Sequence, residues 1–297
     1  LTTFVMSVGF HYFETVKQSL ALQWLSIDEA PKVLGQLIAA GSMASLVVYG
    51  FLILAQSQFG LTYKMIYVIG GVGCLGLTLF AWLAFPHFKS ATPQRKNLLM
   101  RKRYWLYYAL TFMGGARRQI FVVFAGFLMV EKFGYSVRDV ATLYLINHLF
   151  NWAFAGRIGA LVGRIGERRA LTFEYCGLIC VFTAYAFVDN AYWAAGLYVL
   201  DHLFYSLAIA IKTYFQKIAD PADMASTAGV AFTINHIAAV VIPALFGLVW
   251  LVSPTAVFLM GTGMAAISLV LALNIPLNPT AGNEVVMGRV TTVAPAP

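Results

Sequence analysis

Two adjacent arginines, Arg117 and Arg118, lie inside the apolar run LTFMGGARRQIFVVFAGFLMV. A charge in such surroundings is costly, so it faces a cavity or a partner. A guanidinium stays charged and grips a carboxylate or phosphate as a two-pronged fork. The pair therefore predicts one of two things: a ligand site for an anionic group, or an internal salt bridge to an acidic residue on another helix. Only twelve residues separate Arg118 from Glu131, which is about 18 Å of helix. The helix must therefore begin well before Arg117, with both arginines inside the apolar zone.

Proton chemistry has candidates as well. Ser7, His11, Glu14 and Gln18 are spaced four, three and four, which puts them on one helical stripe that belongs against a bundle interior. Glu14 could carry a proton if desolvation raises its affinity for one, or it could simply neutralise Lys17, three residues on. Three later segments each pair a polar residue with histidine: Asn147–His148 with Asn151, Asp201–His202 with Ser206, and Asn235–His236 with Thr233. Neighbours on a helix point about 100° apart, so one member of each pair lines a cavity and the other bonds a neighbouring helix. The resulting candidates are Arg117, Arg118, Asn147, Asn151, His202 and His236 for a solute, and Glu14 and Asp201 for a proton. Asp201 is alternatively the partner of Arg118. Glu174 and Lys212, nearer the segment ends, read as gate or loop anchors.

No cofactor or metal site is expected. Cys176 and Cys180 stand at i,i+4, with Glu174 the only further ligand type beside them; a packing role suits them and Cys74 better. Nothing in the spacing holds the three histidines on one ion. No clustered nucleophile or acid–base set points to an enzyme.

The elements that position these side chains follow from composition. The chain of 297 residues is 60% hydrophobic and only 11% charged, which a soluble exterior does not tolerate. An all-α integral membrane protein is predicted, because chain in lipid must satisfy its own backbone. About 20 residues cross the hydrocarbon core. Nine segments meet that requirement, at 2–25, 32–56, 62–86, 104–130, 137–158, 170–188, 191–215, 225–250 and 254–275. Gly71 to Gly76 fits G-x-G-x-x-G, but it lies within a spanning segment with no strand before it, so close helix packing is the expected reason for its glycines.

Between the third and fourth segments, Pro86–Arg103 holds six basic residues and no acidic one. Clustered Lys and Arg resist translocation, which puts this linker in the cytoplasm. Alternation then places thirteen Lys and Arg inside and three outside, leaving aside the embedded Lys17, Arg117, Arg118 and Lys212. The net charge of +8 is therefore topological, and no nucleic-acid partner is expected. The domain reading is three helices over 1–86, a basic loop over 87–103, a six-helix bundle over 104–275 and a disordered cytoplasmic tail over 276–297. Lys17–Gly35 and Lys212–Gly229 both run from a lysine through an acidic, Pro-containing turn into a small-residue helix start. Those two stretches lie six segments apart, the period of parallel-repeat transporters. Three further segments are expected ahead of Leu1 on that symmetry.

Gly159–Arg169, GALVGRIGERR, resembles the signature loop of the major facilitator superfamily, G-x-x-x-D-R-x-G-R-R. Gly159, Arg164, Gly166 and Arg168 match; Gly163 stands at the aspartate position and Glu167 at an arginine position. The resemblance implies the two-bundle transporter fold, with helices four to twelve of twelve present. It also implies a monomeric secondary transporter in a plasma membrane (the inner membrane of a bacterium), moving a small solute by alternating access. Proton coupling fits the titratable candidates. The rival reading is a sensor or assembly partner on the same scaffold that moves nothing.

Overall fold

A computed structural model describes residues 2–85 and 92–288. Within them the nine expected segments are nine helical spans: α1 (Thr2–Trp24), α2 (Ala30–Ser57), α3 (Tyr63–Ala84), α4 and α5 (Trp105–Gln119 and Gly126–Phe133) joined by a π turn at Ile120–Ala125, α6 (Val137–Ile165), α7 (Glu167–Phe187), α8 and α9 (Ala191–Tyr205 and Ile209–Ile218) joined by a 3₁₀ turn at Ser206–Ala208, α10 (Met224–Trp250) and α11 (Pro254–Leu273). Seven of the spans are long and apolar enough to cross a membrane. The other two, α1 and α6, have the length, with 23 and 29 residues. They are more polar because they carry the Ser7–Gln18 stripe and the Asn147–Asn151 turn.

Local chemistry sets the boundaries. Pro31 occupies the first turn of α2, where its missing N–H costs nothing. Ser136 and Asp139 form a reciprocal capping box at the start of α6, and Asn190 accepts from the N–H groups of Tyr192 and Trp193 to start α8. Between α6 and α7 the chain turns at Gly166 with φ +84°, a conformation that glycine adopts without steric cost.

Helices α4–α11 surround an aromatic core. Tyr107 stacks on Phe215 with ring centroids 4.4 Å apart, and Tyr185 on Phe258 at 5.1 Å. Offset and edge-on pairs of this kind contribute about 0.5–1.5 kcal/mol each beyond simple burial. By contrast α3 has no buried residue. A Cβ at Gly71, Gly73 or Gly76 would meet nothing within 4 Å, so close packing does not account for those glycines here. The three cysteines are exposed rather than packed.

Four connectors share one end of the bundle: 25–29, the linker, Gly166 and the 219–223 turn; we call this end the linker face. Here α1 and α2 meet the later helices most closely. The Cβ that Gly35 lacks would lie 2.3 Å from the Ala155 carbonyl oxygen, and that of Gly159 would lie 2.1 Å from the Pro31 oxygen. Backbone contact between α2 and α6 therefore depends on these two glycines. Beside them the Gln216 amide on α9 donates to the carbonyls of Leu22 (3.0 Å) and Leu25 (2.7 Å) at the end of α1, groups that a helix C-terminus leaves without partners.

Residues 92–103 of the linker are folded onto this face. Asp223, 2% exposed, takes Arg101 Nε at 2.8 Å, Arg95 Nη1 at 3.2 Å and the Tyr104 hydroxyl at 3.1 Å. Ser226 accepts from Leu99 N–H and donates to the Asn97 carbonyl. The remainder of the linker's polar run, 86–91 with Lys89, lies outside the described residues.

The tail corrects an expectation. Residues 276–288 are not a disordered strand of chain but a turn packed under the linker face, while 289–297 lie outside the described residues. Ile275 and Val285 are buried. Asn274 accepts from Met287 N–H at 2.7 Å and donates to its carbonyl at 3.1 Å. Tyr214 donates to the Glu284 carbonyl at 2.6 Å, and the Glu284 carboxylate faces Arg103 at 3.4 Å. A polar, Pro- and Gly-containing composition suggests disorder; a buried valine, one asparagine and the contacts of Glu284 dock it.

Candidate functional site

The α1 stripe faces the later helices. His11, Glu14 and Gln18 are half-buried and Ser19 and Leu22 buried, whereas Tyr12, Phe13 and Val16 on the opposite side are exposed. That is the 3.6-residue period of an amphipathic helix with a polar inner face. Each stripe residue has its own neighbour: His11 meets His236 with ring centroids 4.3 Å apart and Phe232 at 5.3 Å, and Gln18 sits beside the Tyr107 hydroxyl. Glu14 is ion-paired with Lys17 on its own helix, and both lie within Coulombic reach of Lys212 on α9.

Lys212 in turn is within reach of Arg118 on α4. Arg118 and Lys212 are surrounded by protein yet keep solvent-accessible surface. Such side chains line a concave gap rather than the lipid face. Arg118 lies over the Tyr205 ring, 5.0 Å from its centroid, and donates to the Tyr205 hydroxyl at 3.3 Å. Tyr205 is one turn beyond Asp201 on α8, and Asp201, 5% exposed, is in Coulombic reach of both Arg117 and Arg118.

The neighbouring arginine has a different environment. Arg117 is 2% exposed, stacked 4.4 Å over Tyr175 and 3.6 Å from Glu174, which is fully buried. It belongs to the packed interior of α4 and α7, not to the gap.

The remaining candidates divide between two sides. His202 packs on Phe121 and Tyr198, and its Nδ1 donates to the Tyr198 carbonyl. Near it, Asn151 Oδ1 accepts from the Ser206 hydroxyl at 3.2 Å, in the 3₁₀ turn between α8 and α9. Asn147, one turn away on α6, is 4% exposed with no protein partner among the described residues for either amide atom. His148 meets the Tyr49 ring of α2 at a tilt, with centroids 5.7 Å apart. His236 stands apart from this group, opposite His11, its Nδ1 donating to the Phe232 carbonyl at 2.9 Å. Asp201, Arg118, His202 and Asn151 are thus brought together; His236 and Glu14 flank the gap from α10 and α1.

Two participants escaped the sequence reading. Tyr205 carried a signal, since it follows Asp201 by four residues on the same helical face. Lys212 reads in the sequence as a gate or loop anchor, because nothing there places it opposite Glu14.

Over residues 1–243 the sequence matches the Major Facilitator Superfamily. The chain belongs to that superfamily. A stretch of 148 residues, half of this chain, is 26% identical to an uncharacterized MFS-type transporter of Methanocaldococcus jannaschii and covers 37% of that protein. The match thus spans little more than a third of the relative's length. Superfamily membership accounts for the multi-pass helical architecture. It also gives the Gly159–Arg169 loop a structural meaning: Gly159 is the contact glycine against Pro31, and Gly166 makes the turn into α7. Arg164 is exposed and Arg168 half-buried. Where the superfamily signature has an arginine, Glu167 is buried and binds Lys217 at 2.7 Å. Gly163, at the aspartate position, rests 3.6 Å from the Pro31 ring on the Cβ it lacks.

Proposed function

We propose that the protein is a secondary active transporter that moves a small anionic solute by alternating access, driven by a proton. One observation carries this reading: Glu14 and Lys17 of α1 and Arg118 of α4 lie within electrostatic reach of Lys212 of α9, with Asp201 of α8 within reach of Arg118. Arg118, supported by Tyr205, binds the anionic group; Asn151, Asn147 and His202 orient the rest of the solute, with His236 reaching from α10.

Asp201 is the proton carrier best placed to communicate with Arg118, and Glu14 is the alternative. When ionised, Asp201 offsets the charge of Arg118 and lowers its attraction for an anion. A proton on Asp201 restores that attraction, so proton and solute load together. The linker face is cytoplasmic in this reading, and its close α2–α6 contact is the inward-closed state. Separation of Gly35 from Ala155 and of Gly159 from Pro31 then opens the opposite state. The protein works as a monomer in a plasma membrane, the inner membrane in a bacterium.

Uptake by proteoliposomes tests this, with a panel of small carboxylates and phosphates offered with and without an imposed pH gradient. Accumulation that collapses with the gradient is the expected result. Flux without gradient dependence would make the protein a facilitator, and absence of flux across the panel would favour a sensor.

A further inference from the structure

Away from the gap, α7 and α11 leave a groove of about 410 Å³ on the outside of the bundle. Its walls are Phe173 and Cys176 from α7, Leu273 from the end of α11 and Leu277 just beyond it, all exposed. Arg168 and Arg169 close its linker-face end. Neither arginine has a carboxylate within ion-pair distance among the described residues; the nearest acid along the chain, Glu167, is turned inward and bound to Lys217. Two uncompensated guanidinium groups thus stand over an apolar trough.

The depth of these residues fits a bilayer. At 1.5 Å per residue, Phe173 lies about 6 Å and Cys176 about 11 Å below Arg169 along α7. Arg168 and Arg169 open the helix, at headgroup level, and the apolar wall descends into the hydrocarbon. A guanidinium binds phosphate oxygens with two parallel hydrogen bonds, and basic pockets at the cytoplasmic ends of spanning helices select acidic headgroups.

We propose that this groove holds one anionic phospholipid from the leaflet at the linker face, its phosphate between Arg168 and Arg169 and one acyl chain along Phe173, Cys176 and Leu273. The assignment is independent of the solute, the proton and transport. It gives Arg168, a residue of the signature loop, a ligand outside the transport path.

Native mass spectrometry of the delipidated, detergent-solubilised protein tests it, by titration with phosphatidylglycerol and, separately, phosphatidylcholine. Phosphatidylglycerol is expected to bind the more tightly, and R168Q/R169Q to weaken it about tenfold or more while leaving phosphatidylcholine unchanged. R168K/R169K, which keeps the charge, retains most of the preference and controls for damage to the fold. A bulky maleimide on Cys176, with Cys74 and Cys180 changed to serine, blocks binding if the acyl chain lies in the groove. Equal affinity for the two lipids, an undiminished preference in R168Q/R169Q, or indifference to the Cys176 label would each overturn the proposal. Full displacement of the lipid by millimolar inorganic phosphate would overturn the choice of a membrane lipid over free phosphate.

Discussion

Arg117 faces Glu174 across 3.6 Å in the buried space between α4 and α7. Removing one member of a buried ion pair leaves the other charge uncompensated, at a cost on the order of 3–5 kcal/mol. Glu174→Ala is therefore expected to lower the melting temperature of the purified protein by several degrees. The paired change Arg117→Met with Glu174→Leu should recover much of that loss. Thermal unfolding in detergent measures both, and equal stability of Glu174→Ala and the natural protein would show that the pair does not hold the helices.

Arg118 keeps solvent-accessible surface, and Tyr205 is its one hydrogen-bond partner among the described residues, so its loss should spare the fold. Arg118→Ala is expected to insert in the membrane normally, elute as a single species and transport at less than a tenth of the natural rate, the loss of one charge-assisted, forked contact being about 1.5–3 kcal/mol. Uptake by Arg118→Ala at the natural rate would remove this side chain from the solute site.

Asp201→Asn keeps the shape of the carboxyl but not its proton. Accumulation against a concentration gradient should vanish while solute–solute exchange across the membrane persists, because the asparagine mimics the neutral, loaded state. Parallel uptake and counterflow measurements separate these two activities. If Glu14→Gln shows that pattern and Asp201→Asn does not, the proton resides on α1.

Gly159→Val places carbon where the Pro31 carbonyl oxygen already lies, 2.1 Å from the added Cβ. The linker-face contact between α2 and α6 must then part. In a protein lacking its three natural cysteines, a cysteine at Leu22, 2% exposed in the closed contact, should react with a membrane-impermeant maleimide about tenfold faster once Gly159→Val is added. An unchanged labelling rate would mean that the helices absorb the extra carbon without opening.

Asp223→Ala strips Arg95, Arg101 and Tyr104 of a shared acceptor. The linker should come away from the 219–226 turn and be cut by trypsin after Arg95, Lys96 or Arg101 about tenfold faster than in the natural protein. Gel analysis of timed digests reads this directly, with Arg138→Ala on the opposite face as a control.

The spans were legible because lipid imposes a length and a composition that few other constraints mimic. The inward side of α1 was legible for a related reason: His11, Glu14 and Gln18 repeat at the helical period and are half-buried, although Ser7 at the head of that stripe is exposed. What each residue meets was not legible. Periodicity orients a side chain about its own axis but does not name the helix across from it. Arg117 and Arg118 are adjacent in the chain, yet one is sealed against Glu174 and the other opens toward Lys212. Glu174, by sequence a gate or loop anchor, is the interior partner. The tail was missed because composition weighs residues equally, whereas a few residues, Val285, Asn274 and Glu284, fasten it.

None of the ion pairs among the described residues joins α1–α3 to the later helices. The seam between them at the linker face is fastened by the uncharged Gln216 amide and by bare backbone meeting at Gly35 and Gly159. Mobile ions have nothing to screen there. The contact at the linker face should consequently hold alike in dilute and concentrated salt, even as the arginine clasp on Asp223 slackens.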